Sequence, residues 1–139
     1  LGEPFFESFE SSVASMLYSI PAVKGVEFGT GFAIADLTGF AANDSIYHDG
    51  SAFRTRTNHN GGINGGITNG MPVVFRVAFK PPASIGKEQD SAELATGEPR
   101  RLAVVGRHDP CIVHRAVVVV EAALALCLLD LLLVNGGTQ

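Results

Sequence analysis

Apolar side chains recur at steps of three and four through the first twenty residues, with Phe5, Phe9, Val13, Met16, Leu17 and Ile20 on one stripe and Ser8, Ser11, Ser12 and Ser15 off it. The spacing predicts a helix. Glu3 and Pro4 suit its first turn, where proline forfeits no hydrogen bond and an acid complements the dipole, and Pro21 ends it. Positions 23–28 then alternate, Val26 and Phe28 on one side and Lys24 on the other, as a strand requires. Positions 71–80 alternate more clearly. Val73, Phe75, Val77 and Phe79 share one face, while Arg76 and Lys80 fall on the other. Pro81 and Pro82 stop that strand, because proline cannot donate to a ladder.

Between these strands, residues 29–70 are rich in glycine and asparagine and read mostly as loop and turn, with a short element at 34–37. So long a stretch without regular structure inside a compact domain is usually either functional or misassigned. Residues 92–94 and 102–105 predict two short strands joined by the turn Gly97-Glu98-Pro99. From 116 to 134 the chain is apolar throughout except for Glu121 and Asp130. That length matches a bilayer span, yet each acid near mid-membrane costs about 2.5–3.5 kcal/mol, and no aromatic belt or basic flank follows Val134. A core helix apolar on all sides, buried between layers or at a subunit interface, is the expected reading.

Charge changes the picture along the chain. Seven acids against Lys24 before position 51 give −6, eight Lys/Arg against four acids over 51–107 give +4, and the remainder carries −2. A locally basic segment between acidic ones suits a compact anion better than a nucleic acid, whose binders are usually basic with interleaved aromatics. Only Phe53, Phe75 and Phe79 lie among these cations. Cys111 and Cys127 stand sixteen apart in what reads as a buried helical run, so both are expected to act as small apolar side chains. No Cys/His spacing makes a metal site, and no basic-then-apolar leader precedes the first helix. A reducing, cytoplasmic setting is expected for one domain of 139 residues.

Three constellations can carry chemistry. The paired glycines Gly61-Gly62 and Gly65-Gly66 follow Arg54, Arg56 and Asn58; their freedom at positive φ allows consecutive amides to line an anion-holding concavity, and the bland alternative is a tight turn. Neither a nucleotide-hydrolase phosphate loop nor a GxGxxG fingerprint is present. Lys80, Pro81, Pro82, Ala83 and Ser84 set a cation at a strand end, a rigid turn and a hydroxyl, or simply a solvated lysine before a turn. In Arg107-His108-Asp109-Pro110 a guanidinium can fork onto phosphate or carboxylate, and Asp109, held ionised by it, can accept a proton. A plain Arg–Asp helix cap is the alternative. His59 and His108 are read as structural.

Taken together, these segments resemble the chorismate synthase family. The match runs through Gly2-Glu3-Pro4-Phe5-Phe6, Ser19-Ile20-Pro21-Ala22-Val23-Lys24-Gly25-Val26-Glu27, residues 54–70, Val74-Phe75-Arg76-Val77-Ala78-Phe79-Lys80-Pro81, Gly106-Arg107-His108-Asp109-Pro110-Cys111 and Glu121. The resemblance implies an α+β fold, part of a β-α-β sandwich with helices between sheet layers, in a homotetramer. It implies anti-1,4-elimination of phosphate from 5-enolpyruvylshikimate 3-phosphate to give chorismate, with reduced FMN and no net redox change; NADPH enters only where a flavin reductase activity accompanies it. Pro21, Ala22, Gly65, Lys80, Pro81, Pro82, Ala83, Ser84 and Arg107 would line the FMN site, with Asp109 beside the flavin managing its proton. No metal, nucleic acid or membrane is implied.

The chain departs from the family pattern at His114 and Val118, where proline is usual, and at Pro82-Ala83, which replaces a Thr-Pro-like pair. The family's amino-terminal half, with two catalytic histidines and most substrate-binding arginines, has no counterpart here. The chain is therefore expected to be a single incomplete domain, inactive alone. Two other classes remain: a flavin- or phosphate-binding module without catalysis, and a small protein anchored by residues 116–134.

Overall fold

A computed structural model describes residues 1–136. Its core is built from three elements that each bury one face. The first helix, α1 (Phe9–Tyr18), buries Phe9, Val13 and Leu17 almost completely. It begins later than the apolar stripe suggests. The Ser8 hydroxyl accepts the Ser11 amide hydrogen at 3.0 Å, an N-cap that fixes the start of the helix. Residues 5–7 form a separate 3-10 turn, so Phe5, at positive φ and 88% exposed, does not belong to the stripe.

Strand β1 (Val23–Phe28) pairs antiparallel with β6 (Phe75–Phe79), Val26 opposite Val77 and Phe28 opposite Phe75. The register shifts between Val23 and Gly25, a bulge that lets Val23 be buried although its parity differs from that of Val26 and Phe28. The second strand is shorter than the alternation over 71–80 predicts, for Pro72 cannot extend a ladder. Val26, Phe28, Val73, Phe75 and Val77 present the apolar face of the pair to the core.

Helix α3 (Val113–Val134) starts three residues before its predicted position. Ala116, Ala123, Cys127 and Leu131 are buried, the last three spaced by four along one stripe that meets α1. The expectation of burial all round is corrected: Val118, Leu126, Leu129 and Leu133 are more than half exposed, because the described residues offer this helix only one packing surface. Cys111 is likewise outside the helix and exposed, whereas Cys127 is buried.

The glycine-rich region is more ordered than its composition implies. It holds a 3-10 turn at Gly31–Asp36, a short helix α2 (Gly39–Ala42), the hairpin β2 (Ile46–His48) with β3 (Phe53–Thr55), and the small hairpin β4 (Ile63–Asn64) with β5 (Ile67–Thr68). The predicted second pair of strands exists, three residues earlier, as the hairpin β7 (Gln89–Ala92) with β8 (Pro99–Leu102). It projects from the body, and its arginines pair within it: Arg101 with Asp90 at 3.0 Å and Arg100 with Glu93 at 3.6 Å. The fold is α+β, a strand pair with both long helices against one face.

Candidate functional site at one end of the strand pair

The antiparallel register places the start of β1 beside the end of β6. There the Lys80 amide donates to the Ala22 carbonyl at 2.7 Å, and Ala22 holds φ +71 as the chain turns from Pro21 into the strand. A non-glycine residue at positive φ is strained and persists only where its surroundings hold it. The proline turn then carries the chain to Ser84, whose hydroxyl lies 3.5 Å from Nδ1 of His108; Nε2 of the same ring is 2.8 Å from the Val104 carbonyl. These two contacts define a strip that runs from Pro21-Ala22 through Lys80, Pro81, Pro82, Ala83 and Ser84 to His108, whose chain neighbours are Arg107 and Asp109. The fold brings them together although up to 88 positions separate them in sequence.

Gly65 does not join that strip. It sits in the turn of the β4–β5 hairpin, where the neighbouring Gly66 carbonyl accepts from the Phe9 amide at the start of α1. Pro21 lies beyond the other end of α1, about 15 Å away along ten residues of helix. No atom stands within 4 Å of a Cβ built on Gly65, so the position is open to an approaching group from that side.

The electrostatics of the strip differ from the sequence expectation in one respect. Asp109 pairs with Arg115, in the first turn of α3, not with Arg107. Nor does it cap the helix, whose N-cap is Ile112 without a side-chain bond. Among the described residues, Lys80 and Arg107 take part in none of the ion pairs. Two cations without an ion-pair partner among the described residues thus lie on the segments that meet at Ser84 and His108, while the Asp109 carboxylate is held by a different arginine. Such an arrangement fits an organic anion such as a flavin phosphate: it offers positive charge, a hydroxyl and backbone edges.

Just before the first glycine pair, the chain wraps an internal carboxylate. Asp44, 8% exposed, accepts the Thr57 hydroxyl at 2.7 Å, the His59 amide at 2.8 Å and the Asn60 amide at 2.9 Å. Burial opposes its ionisation, but these bonds and the His59 ring together hold its carboxyl below the usual value. The amides nearest the first glycine pair are consequently spent on an internal carboxylate. Sequence reading missed Asp44; a signal was present in the Asn43-Asp44 turn, but nothing local says which loop it would meet. The His59 ring is held at Nδ1, 2.8 Å from the Thr30 hydroxyl. Burial, aided by Asp130, pushes the Cys127 thiol up and away from reactivity.

The fold is that of an α+β chain with an exposed strip at one end of a strand pair. The comparisons make this particular. The chorismate synthase family model matches residues 1–133. A chorismate synthase from Chitinophaga pinensis is 53% identical over 135 residues, covering 97% of this chain and 40% of the relative. One from Synechocystis sp. is 52% identical over 134 residues, covering 96% and 37%. A chorismate synthase crystal structure superposes with a TM-score of 0.74 at 35% identity, over 99% of this chain and 34% of that one. The chain belongs to the chorismate synthase family, and it spans about two fifths of the length of its curated relatives.

Proposed function

We propose that this chain supplies the carboxy-terminal share of a chorismate synthase active site, holding reduced FMN and facing the phosphate that leaves 5-enolpyruvylshikimate 3-phosphate. The observation that carries the reading is the convergence of Pro21-Ala22, the Lys80-to-Ser84 turn and the Arg107-to-Asp109 corner at one end of the β1–β6 pair. Reduced FMN, when bound, supplies electron density to an allylic centre as phosphate departs, with no net redox change. Lys80 and Arg107, free of ion-pair partners among the described residues, bind and orient anionic groups and stabilise charge developing on the leaving phosphate. Pro81 and Pro82 keep the turn rigid, so little ordering entropy is lost on binding. Asp109, oriented by Arg115, is the proton-handling group beside the flavin. Gly65 contributes from the other end of α1 and meets the cofactor only through a surface completed outside this strip.

The elimination itself needs groups that no residue of this chain provides, so residues 1–139 form part of one domain and are inactive alone. In the complete assembly, a cytoplasmic homotetramer, the exposed flank of α3 is covered. Arg107→Ala tests the reading, in a chimera where this chain replaces the matching segment of the Chitinophaga pinensis relative. Losing a charge-assisted fork worth about 1.5–3 kcal/mol should weaken FMN binding by roughly 10- to 150-fold and reduce turnover. Unchanged affinity and unchanged turnover together would refute the assignment.

A further inference from the structure

His108 is claimed neither as a catalytic group nor as a flavin ligand, yet it joins the Arg107-to-Asp109 segment to the Lys80-to-Ser84 turn. Its ring lies at the base of the projecting β7–β8 hairpin, reaching Ser84 before the hairpin and Val104 after it, with Gly86 packed alongside. A Cβ built on Gly86 would stand 3.9 Å from Nε2, ordinary contact distance. The ring therefore closes a chain excursion of more than twenty residues across a single side chain.

Hydrogen-bond chemistry fixes which nitrogen carries the proton. The Val104 carbonyl, 2.8 Å from Nε2, can only accept, so Nε2 is the protonated nitrogen. In the neutral ring Nδ1 is then bare, and the exposed Ser84 hydroxyl, 3.5 Å away, is the group placed to donate to it. A hydroxyl turned that way shows only lone pairs to the strip.

We infer that His108 is a positioning residue that sets Ser84 as a hydrogen-bond acceptor for an N–H or O–H donor on the flavin, rather than as a donor to phosphate. The inference rests on the flavin site proposed above and deepens it by dividing the labour along the strip. Lys80 and Arg107 take the anionic parts of the ligand, and Ser84, oriented by His108, reads a neutral polar edge. A protonated ring would reverse the Ser84 hydroxyl, since Nδ1 would then donate to it.

The test uses the Chitinophaga pinensis chimera and two probes, FMN and inorganic phosphate. His108→Gln keeps a donor for the Val104 carbonyl and removes the ring nitrogen facing Ser84; Ser84→Ala removes the hydroxyl. Each should weaken FMN by about 5- to 10-fold and leave phosphate inhibition within about 2-fold, as losing one neutral hydrogen bond implies. The double variant should be no weaker than the poorer single, because both remove the same interaction. Thermal midpoints of His108→Gln and the unsubstituted protein should agree, which separates orientation from folding. If the two losses multiply, if His108→Gln leaves FMN affinity unchanged, or if phosphate weakens equally, the positioning role is refuted. Arg107→Ala distinguishes the failures: when it too leaves FMN unaffected the flavin site is misplaced, and when it alone weakens FMN only the role of His108 falls.

Discussion

Removing the Asp44 carboxylate should loosen the glycine-rich region more than any surface change of similar size. Asp44→Ala leaves the Thr57 hydroxyl and the His59 and Asn60 amides without their acceptor, in a site only 8% exposed. Each unsatisfied buried donor costs about 1–3 kcal/mol, but one side chain served all three and water can enter the space it vacates; the combined loss is therefore set at about 2–4 kcal/mol. Asp44→Asn keeps the shape. It turns an NH2 toward one of the donors and should cost roughly 1–2 kcal/mol, about one lost bond to a charged group. The pH dependence has a definite sign. The folded carboxyl titrates below its ordinary value, so its contribution is complete above the unfolded-state pKa near 3.9 and is lost as pH falls through the lowered folded value. Urea unfolding followed by circular dichroism should show the gap between the unsubstituted protein and the Asp44→Asn variant wide at about pH 7 and narrowing below about pH 4. Amide exchange at His59 and Asn60 should accelerate in both variants. A cost under about 0.5 kcal/mol for Asp44→Ala at neutral pH, or a gap that stays constant into acid, would refute the clamp.

Gly61→Ala and Gly70→Ala separate backbone strain from steric overlap. Both hold positive φ, but a Cβ on Gly61 would lie 2.4 Å from the Gly29 nitrogen, whereas Gly70 has open space. Gly70→Ala should cost about 1–2 kcal/mol and Gly61→Ala at least about 2 kcal/mol more, by chemical denaturation; equal costs would show that the Gly29–Gly61 contact yields easily. The exposed flank of α3 predicts poor solubility for the chain expressed alone, and Leu129→Gln with Leu133→Gln should raise the soluble yield without lowering the unfolding midpoint. The same helix has a mean hydropathy of 2.7 over eighteen residues, so carbonate extraction is the discriminating assay. Retention in the membrane pellet as an integral protein would overturn the reading of α3 as a helix whose apolar flank docks on protein.

By itself the sequence determined the elements whose signal is local and periodic, together with the family. Steps of three and four mark α1, an unbroken apolar run marks α3, alternation marks β1 and β6, and Arg107-His108-Asp109-Pro110-Cys111 carries the resemblance. Where one polar side chain or a proline competes with periodicity, local reading slipped: Ser8 starts α1 after Phe5, and Pro72 shortens β6. Tertiary structure alone decided which partners the charged groups chose. Arg115 rather than Arg107 took Asp109, Asp44 took the His59 and Asn60 amides just before the glycine loop, and the antiparallel register set Ala22 against Lys80. The physical reason is range. Helix and strand periods are written within a few residues, whereas a hydrogen bond or ion pair goes to whichever group packing brings within about 3 Å, and sequence distance does not measure that.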